Sequence, residues 1–176
     1  MAGLQSRMIR AAKLDVDLYE EVEADKGAFG QAMAVVALSS IAAGIGRFEA
    51  GVVGMLIGVL AAIITWYIWA YLTYIIGTKL LPERQTEADH GELLRTIGFA
   101  SSPGLIRVFG IIPGLTEIVF FVASIWMLMA MVIAVRQALD YESTWRAIGV
   151  CIIGWVIQII MLSFLLTFLG GSPQPT

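Results

Sequence analysis

Four stretches of this chain run for eighteen or more residues without a charged side chain, at 27–46, 50–78, 118–135 and 147–176. A helix that crosses a bilayer needs about 20 largely apolar residues, so each stretch reads as a spanning helix. Composition agrees. Hydrophobic residues make up 59% and charged residues 14%, where soluble domains carry roughly 45–50% and about 25%. Mean hydropathy is +0.84. A water-soluble domain of this length cannot hide so much apolar surface. The expected fold is all-α, a polytopic transmembrane helical bundle forming one domain.

The stretch from Leu93 to Leu115 is the ambiguous one. It is apolar, yet carries Arg95 and Arg107, with Ser101, Ser102, Pro103 and Gly104 at its centre. It reads as a kinked spanning helix or as a hairpin dipping into one leaflet. Lysine and arginine placement separates the two, because cytoplasmic loops are enriched in both. If the stretch crosses, nine of the eleven cations fall on the side of the N-terminus, leaving Arg47 and Arg107 opposite. If it does not, Arg136 and Arg146 change sides and the bias weakens. The expectation is therefore five spans at about 27–46, 50–78, 93–115, 117–137 and 146–169, the third broken by Pro and Gly. The N-terminus faces the cytoplasm and the C-terminus lies outside, as in a bacterial cytoplasmic (inner) membrane. Residues 171–176 form a short tail.

Residues 1–26 precede the first span. They hold Arg7, Arg10, Lys13 and Lys26 but no long apolar core, so no secretory leader is expected, and no lipidation motif is present. Leu14, Leu18 and Val22 repeat every four residues, placing them on one helical face. Acidic residues from Asp15 to Asp25 fill the remainder. This face suits docking onto a partner or onto the chain's own loops, or serves as a plain amphipathic lead-in. Arg7, Arg10 and Lys13 are placed to touch headgroups.

Gly51, Gly54 and Gly58 open the second span, and Gly54–Gly58 forms a GxxxG step that lets helices approach closely. A short turn around Arg47–Glu49 makes the first two spans antiparallel neighbours, so these glycines are expected at that contact. Trp66, Tyr67, Trp69, Tyr71 and Tyr74 read as an interfacial aromatic belt. Pro82 ends the preceding helix. Asp89 and Glu92 match a capping box opening a new one, with His90 a surface residue in its first turn.

Ionisable residues near spans are functional candidates by default. Arg95 and Arg136 lie close enough to the cytoplasmic ends to snorkel. Arg107 and Glu117 flank a turn near the outer surface and suit an ion pair with each other or with Arg47 and Glu49. No deeper charge is evident. Cys151 is the sole cysteine and His90 the sole histidine, so no zinc set or Ser/His/Asp constellation is expected. No cofactor, metal, nucleic acid or enzymatic activity is expected; the net charge is −3.

Three passages carry a resemblance: LDVDLYEEVEADKGAFGQAMAVVALSSIAAGIG at 14–46, LLRTIGFASSPGLIRVFGIIPGL at 93–115, and ALDYESTWRAIGVCIIGWVIQ at 138–158. Together the chain resembles the Yip1 family of small multi-pass membrane proteins, over nearly its whole length. The resemblance implies five spans with a helix broken at a proline like Pro103. Its best-known members are eukaryotic, sit in Golgi and endoplasmic-reticulum membranes and bind prenylated Rab GTPases. This chain resembles a compact prokaryotic version, for which Rab binding is not expected. No catalytic residue carries over.

Three functions follow as expectations. The first is a membrane organiser or adaptor acting through helix packing, self-association and a membrane-protein partner. The second is a small transporter or channel lined by the Ser101–Gly104 break with Arg95, Arg107 and Glu117. The third is an accessory subunit of a larger membrane complex.

Overall fold

The computed structural model describes residues 3–47 and 51–170; Glu49 and the 171–176 tail lie outside the described residues. All regular structure among the described residues is helical. In chain order it comprises α1 (Leu4–Ala12), α2 (Val16–Ala24), α3 (Phe29–Arg47), α4 (Gly51–Ile75), α5 (His90–Phe99), α6 (Thr116–Ala138) and α7 (Thr144–Gly170). One 3-10 turn (Lys26–Ala28) leads into α3, and a π-helical turn (Ile76–Leu80) extends α4. Lys26–Arg47, Gly51–Leu80, Thr116–Ala138 and Thr144–Met161 are long and apolar enough to cross a membrane.

The ambiguous stretch forms two pieces in place of one continuous helix. After α5 comes a 3-10 helix, Ser102–Ile111, with Pro103 in its first turn. There a missing N–H leaves no helical bond unmade. Runs of 3-10 helix beyond three or four residues are uncommon, and sequence explains this one. With three residues per turn, Ser101, Gly104, Arg107 and Gly110 eclipse one another along one ridge. Gly104 and Gly110 leave two gaps along that ridge, and there its backbone comes close against α3. A Cβ at Gly104 would strike the Ser39 hydroxyl, and one at Gly46 would strike the Arg107 carbonyl oxygen. A Cβ at Gly110 would come within 3.0 Å of the Gly46 carbonyl oxygen, and one at Gly98 within 2.7 Å of Ala32.

Those contacts set direction. Gly98, Gly104 and Gly110 meet Ala32, Ser39 and Gly46 in the same order, so the segment runs parallel to α3. Six residues of 3-10 helix rise about 12 Å and seven of α-helix about 10 Å, which keeps the pair in step from one end of α3 to the other. Of the three glycines expected at the contact between α3 and α4, Gly51 and Gly58 make no close approach. Gly51 has open space around it at φ +62°, and a Cβ at Gly58 meets nothing nearer than the Ser40 hydroxyl at 3.9 Å. Gly54 is half-buried. Of the four apolar helices, α4 has the smallest buried share of its apolar window, 6%.

The N-terminal segment folds as a cap over the end of the bundle where α3 begins. Asp15 caps α2 by accepting from the Asp17 N–H, and Leu14 links α1 to α2 at φ +62° rather than extending a helix. Leu18 and Val22 are fully buried and Leu14 is half-buried in the same core. The partner face expected of these three residues is thus occupied by the chain's own α5 and α6. Trp126 of α6 donates to the Ala12 carbonyl at 2.7 Å. Arg7 does not reach headgroups. It is 3% exposed and all three guanidinium nitrogens are used, on Glu21, Gln31 and Asp25. Arg10 pairs with Asp15 and Glu21. Hydrogen bonds from Arg10 hold Asp15 below the usual carboxylate range, those from Arg10 and Arg7 hold Glu21 there, and Arg7 does the same for Asp25.

At the same end, the expected capping box is present: Asp89 accepts from the Glu92 N–H while Glu92 accepts from the Asp89 N–H. The Tyr141 hydroxyl lies 2.6 Å from the Leu81 carbonyl and 3.0 Å from that of Gly77. It thereby meets acceptors that the π-turn leaves without an α-helical partner. Glu83 accepts from the backbone N–H groups of Glu142 and Ser143 and pairs with Arg146 at 3.5 Å. The aromatic belt divides. Tyr67 and Tyr71 point outward and flank His90 edge-on, which is half-buried between them. Trp66 and Trp69 turn inward, donating to the Leu94 carbonyl and to the Met131 sulfur.

Candidate functional site

Two regions concentrate polar groups. The first is the junction of cap and bundle. Arg95 was expected to snorkel, but it is 5% exposed and points into the protein. Its Nε donates to the carbonyls of Val22 at 2.9 Å and Glu23 at 3.1 Å, and Nη2 also donates to Glu23. These are among the last carbonyls of α2, which have no helical partner and carry the negative end of its dipole. A cation is the best cap for them. Around it, Glu20, Glu23, Glu92, Asp140 and Glu142 line an open acidic recess whose one cation is Arg136. Arg136 donates to the Tyr141 carbonyl.

Burial pushes Glu23 up to about 7, and Asp140, Glu92 and Glu20 add to the rise against the pull of Arg95. Unfolded, the group titrates near 4.5. A carboxyl raised on folding favours the folded state most at acid pH, and that favour is lost as pH climbs through the folded value. The carboxylates held low by Arg7 and Arg10 act in the opposite sense, but below about pH 4, outside this window. The thermal midpoint of the wild type is expected to fall between about pH 5 and about pH 8. Glu23→Gln should flatten that slope. An unchanged slope in the variant would remove Glu23 as its source.

The second region is an open cavity of about 530 Å³ lined by α3, α4, the α5–3-10 segment, α6 and α7. Sites for small ligands commonly measure about 300–1,000 Å³. Ser39, Ser40, Ser101, Arg107, Ser124 and Gln158 contribute its polar wall, and Trp66, Trp69, Trp155, Met127 and Met131 its apolar wall. The 3-10 ridge explains why Ser101 and Arg107 share it: they stand two turns apart on one line. Ser102 is buried on another side of the segment, its hydroxyl without a hydrogen-bond partner, and Pro103 is buried with it.

Arg107 departs from the expected surface ion pair. Glu117 pairs instead with Arg47 at 3.8 Å. The Arg107 guanidinium lies 5.5 Å from the Phe120 ring and donates to the Ser124 hydroxyl at 3.3 Å. Phe120 and Ser124 stand four and eight residues inside α6, about 6 and 12 Å along it. Its Nε is buried with no hydrogen-bond partner, and among the described residues no carboxylate pairs with it. Of the residues singled out by sequence, then, Ser101 and Arg107 meet at the cavity, Arg95 braces the cap, and Glu117 stays outside. Gly58 lines the cavity. The tryptophan and methionine wall escaped the sequence reading because each side chain on its own passes for belt or core.

Comparison with known proteins fits this bundle. Neither a curated protein nor a solved structure matches the chain significantly. The family model of the Yip1 domain matches residues 18–166, from α2 to the distal part of α7. Most of this multi-helix membrane protein is covered by that match, and the chain belongs to the Yip1 family.

Proposed function

We propose that this chain is a five-crossing, non-enzymatic organiser of the bacterial cytoplasmic membrane, an adaptor acting through helix packing and protein contacts at its capped face. The observation that carries the reading is the use made of its buried cations. Arg7 and Arg95 brace a preformed surface rather than converge on a reacting centre. The parallel course of Gly98–Gly110 beside α3 supports a fifth crossing, with the N-terminus inside and the C-terminus outside by the charge rule. Self-association or a membrane-protein partner completes the reading; a Rab GTPase does not belong to it.

Topology is tested with single cysteines at Glu87, Leu115 and Asp140 in a Cys151→Ala background. Labelling of Leu115→Cys from the side opposite to the other two is expected. Labelling of Leu115→Cys from the same side as Glu87→Cys, with Asp140→Cys on the opposite side, would make the segment re-entrant. The adaptor role is tested by purification in mild detergent, with Glu20→Lys/Glu142→Lys as the comparison. Loss of a co-purifying protein at an unchanged thermal midpoint supports it. A stoichiometric membrane subunit retained by both would favour an accessory subunit.

One observation favours a second reading, a small transporter or channel: Ser101 and Arg107 both line the cavity. Solute flux in proteoliposomes that disappears in Arg107→Gln would establish it over the adaptor.

A further inference from the structure

The cavity has a charge at one wall, and among the described residues no carboxylate pairs with it. Arg107 reaches one to two turns inside α6, and a cation at such depth in a bilayer is costly unless paired. Arg47 shares the Phe120 ring with it, at 4.4 Å, and Glu117 answers Arg47. The cluster of these three described side chains thus keeps one positive charge in excess. The buried Nε of Arg107 is a donor with no acceptor. A guanidinium presents a fork matched to phosphate or carboxylate oxygens. Away from Arg107 the space is bounded by the indoles of Trp66, Trp69 and Trp155 and by Met127 and Met131. Flexible thioethers adapt to irregular apolar guests. A free anion would satisfy the arginine and leave that apolar volume unused. A phospholipid fills both parts.

We infer that this cavity holds one anionic phospholipid, its phosphate on Arg107 with Ser124 adjacent and an acyl chain along the tryptophan and methionine wall. The depth of Arg107 rests on the five-crossing reading proposed above. A membrane organiser of this kind then acts on lipid directly, by keeping one molecule within its own helices.

The test is lipid retention. Wild-type protein in mild detergent is washed repeatedly, and bound phosphatidylglycerol and phosphatidylcholine are quantified after adding equal amounts of each. About one phosphatidylglycerol per chain is expected to remain, with phosphatidylcholine washed away. Arg107→Gln should lower retention about tenfold, the loss of one good charge-assisted contact, at a thermal midpoint close to wild type. Arg107→Lys should retain most of it. If Arg107→Gln does not fold, Ala61→Phe, which fills the cavity with Arg107 intact, serves instead and should also expel the lipid. Equal retention by Arg107→Gln or Ala61→Phe, or equal retention of both lipids, would overturn the site. Displacement by inorganic phosphate alone would make the ligand a free anion and overturn the lipid. The cysteine map separates the two proposals: Leu115→Cys labelled from the same side as Glu87→Cys defeats the crossing, whereas an indifferent Arg107→Gln with the crossing intact defeats the lipid site.

Discussion

Arg95→Leu is expected to lower stability by about 3 kcal/mol and to free the N-terminal cap from the bundle. The substitution keeps the apolar stem of the side chain and removes the charged fork. The buried bond to the Val22 carbonyl and the part-buried one to the Glu23 carbonyl are then both lost. A hydrogen bond to a charged group contributes roughly 1.5–3 kcal/mol, and a buried acceptor left alone costs about 1–3 kcal/mol. Two carbonyls are affected, but they share one guanidinium, so the terms do not simply add. Glu23 is affected as well, because Arg95 is the one charge that opposes the rise in its titration. Cutting by trypsin at Lys26, at the end of the cap, should become faster, and the thermal midpoint should drop. Arg95→Lys should restore part of the loss, since a single ammonium cannot fork onto two carbonyls. A leucine variant with wild-type midpoint and cleavage would show that the cap is held by apolar packing alone.

Gly46→Ala is expected to cost about 2–3 kcal/mol, while Gly58→Ala is expected to be neutral or to gain up to about 1 kcal/mol. The added methyl is the same; the surroundings differ. At Gly46 it meets the Arg107 carbonyl oxygen, with the Phe120 ring at 3.1 Å. Backbone stands on both sides of that contact, so neither side can yield without separating α3 from the 3-10 helix. At Gly58 the nearest atom is 3.9 Å away, and alanine's better helix propensity is left to act. Gly104→Ala should fall between them, because the Ser39 hydroxyl and the Met127 sulfur in its way belong to movable side chains. Thermal midpoints of the three variants in one detergent decide the order. Equal midpoints for Gly46→Ala and Gly58→Ala would mean that the α3 contact does not hold the bundle together.

Much of this architecture was legible before any coordinates. Uninterrupted apolar runs mark α3, α4, α6 and α7 because lipid demands them. The Asp89–Glu92 box marks the start of α5 because a capping pair is a local arrangement with a fixed spacing. The close helix contact was placed at Gly54–Gly58 because a four-residue step is the one that aligns glycines on an α-helix. Gly104 and Gly110 stand six residues apart, two turns of a 3-10 helix, and that spacing has meaning only once the backbone is known to wind that way. Arg7 and Arg95 were read as surface cations for a related reason. Their partners lie 14 or more positions away in sequence, and distance along the chain hides a pairing that depends on how the cap folds back. The sequence sets Arg107 beside the Pro113–Gly114 turn and suggests an ion pair with Glu117, whereas its side chain turns to Ser124 of α6.

If the segment crosses as proposed, the winding of Ser102–Ile111 also ties the polar wall to the thickness of the surrounding bilayer. Ten residues of 3-10 helix reach about 20 Å, where the same ten wound as α-helix would reach about 15 Å. Rewinding would also turn Arg107 by about 120° relative to Ser101, taking the two out of line. The shared wall therefore belongs to the extended form alone. A bilayer that matches the longer segment favours that form, whereas a thinner one, through the modest cost of hydrophobic mismatch, favours the shorter.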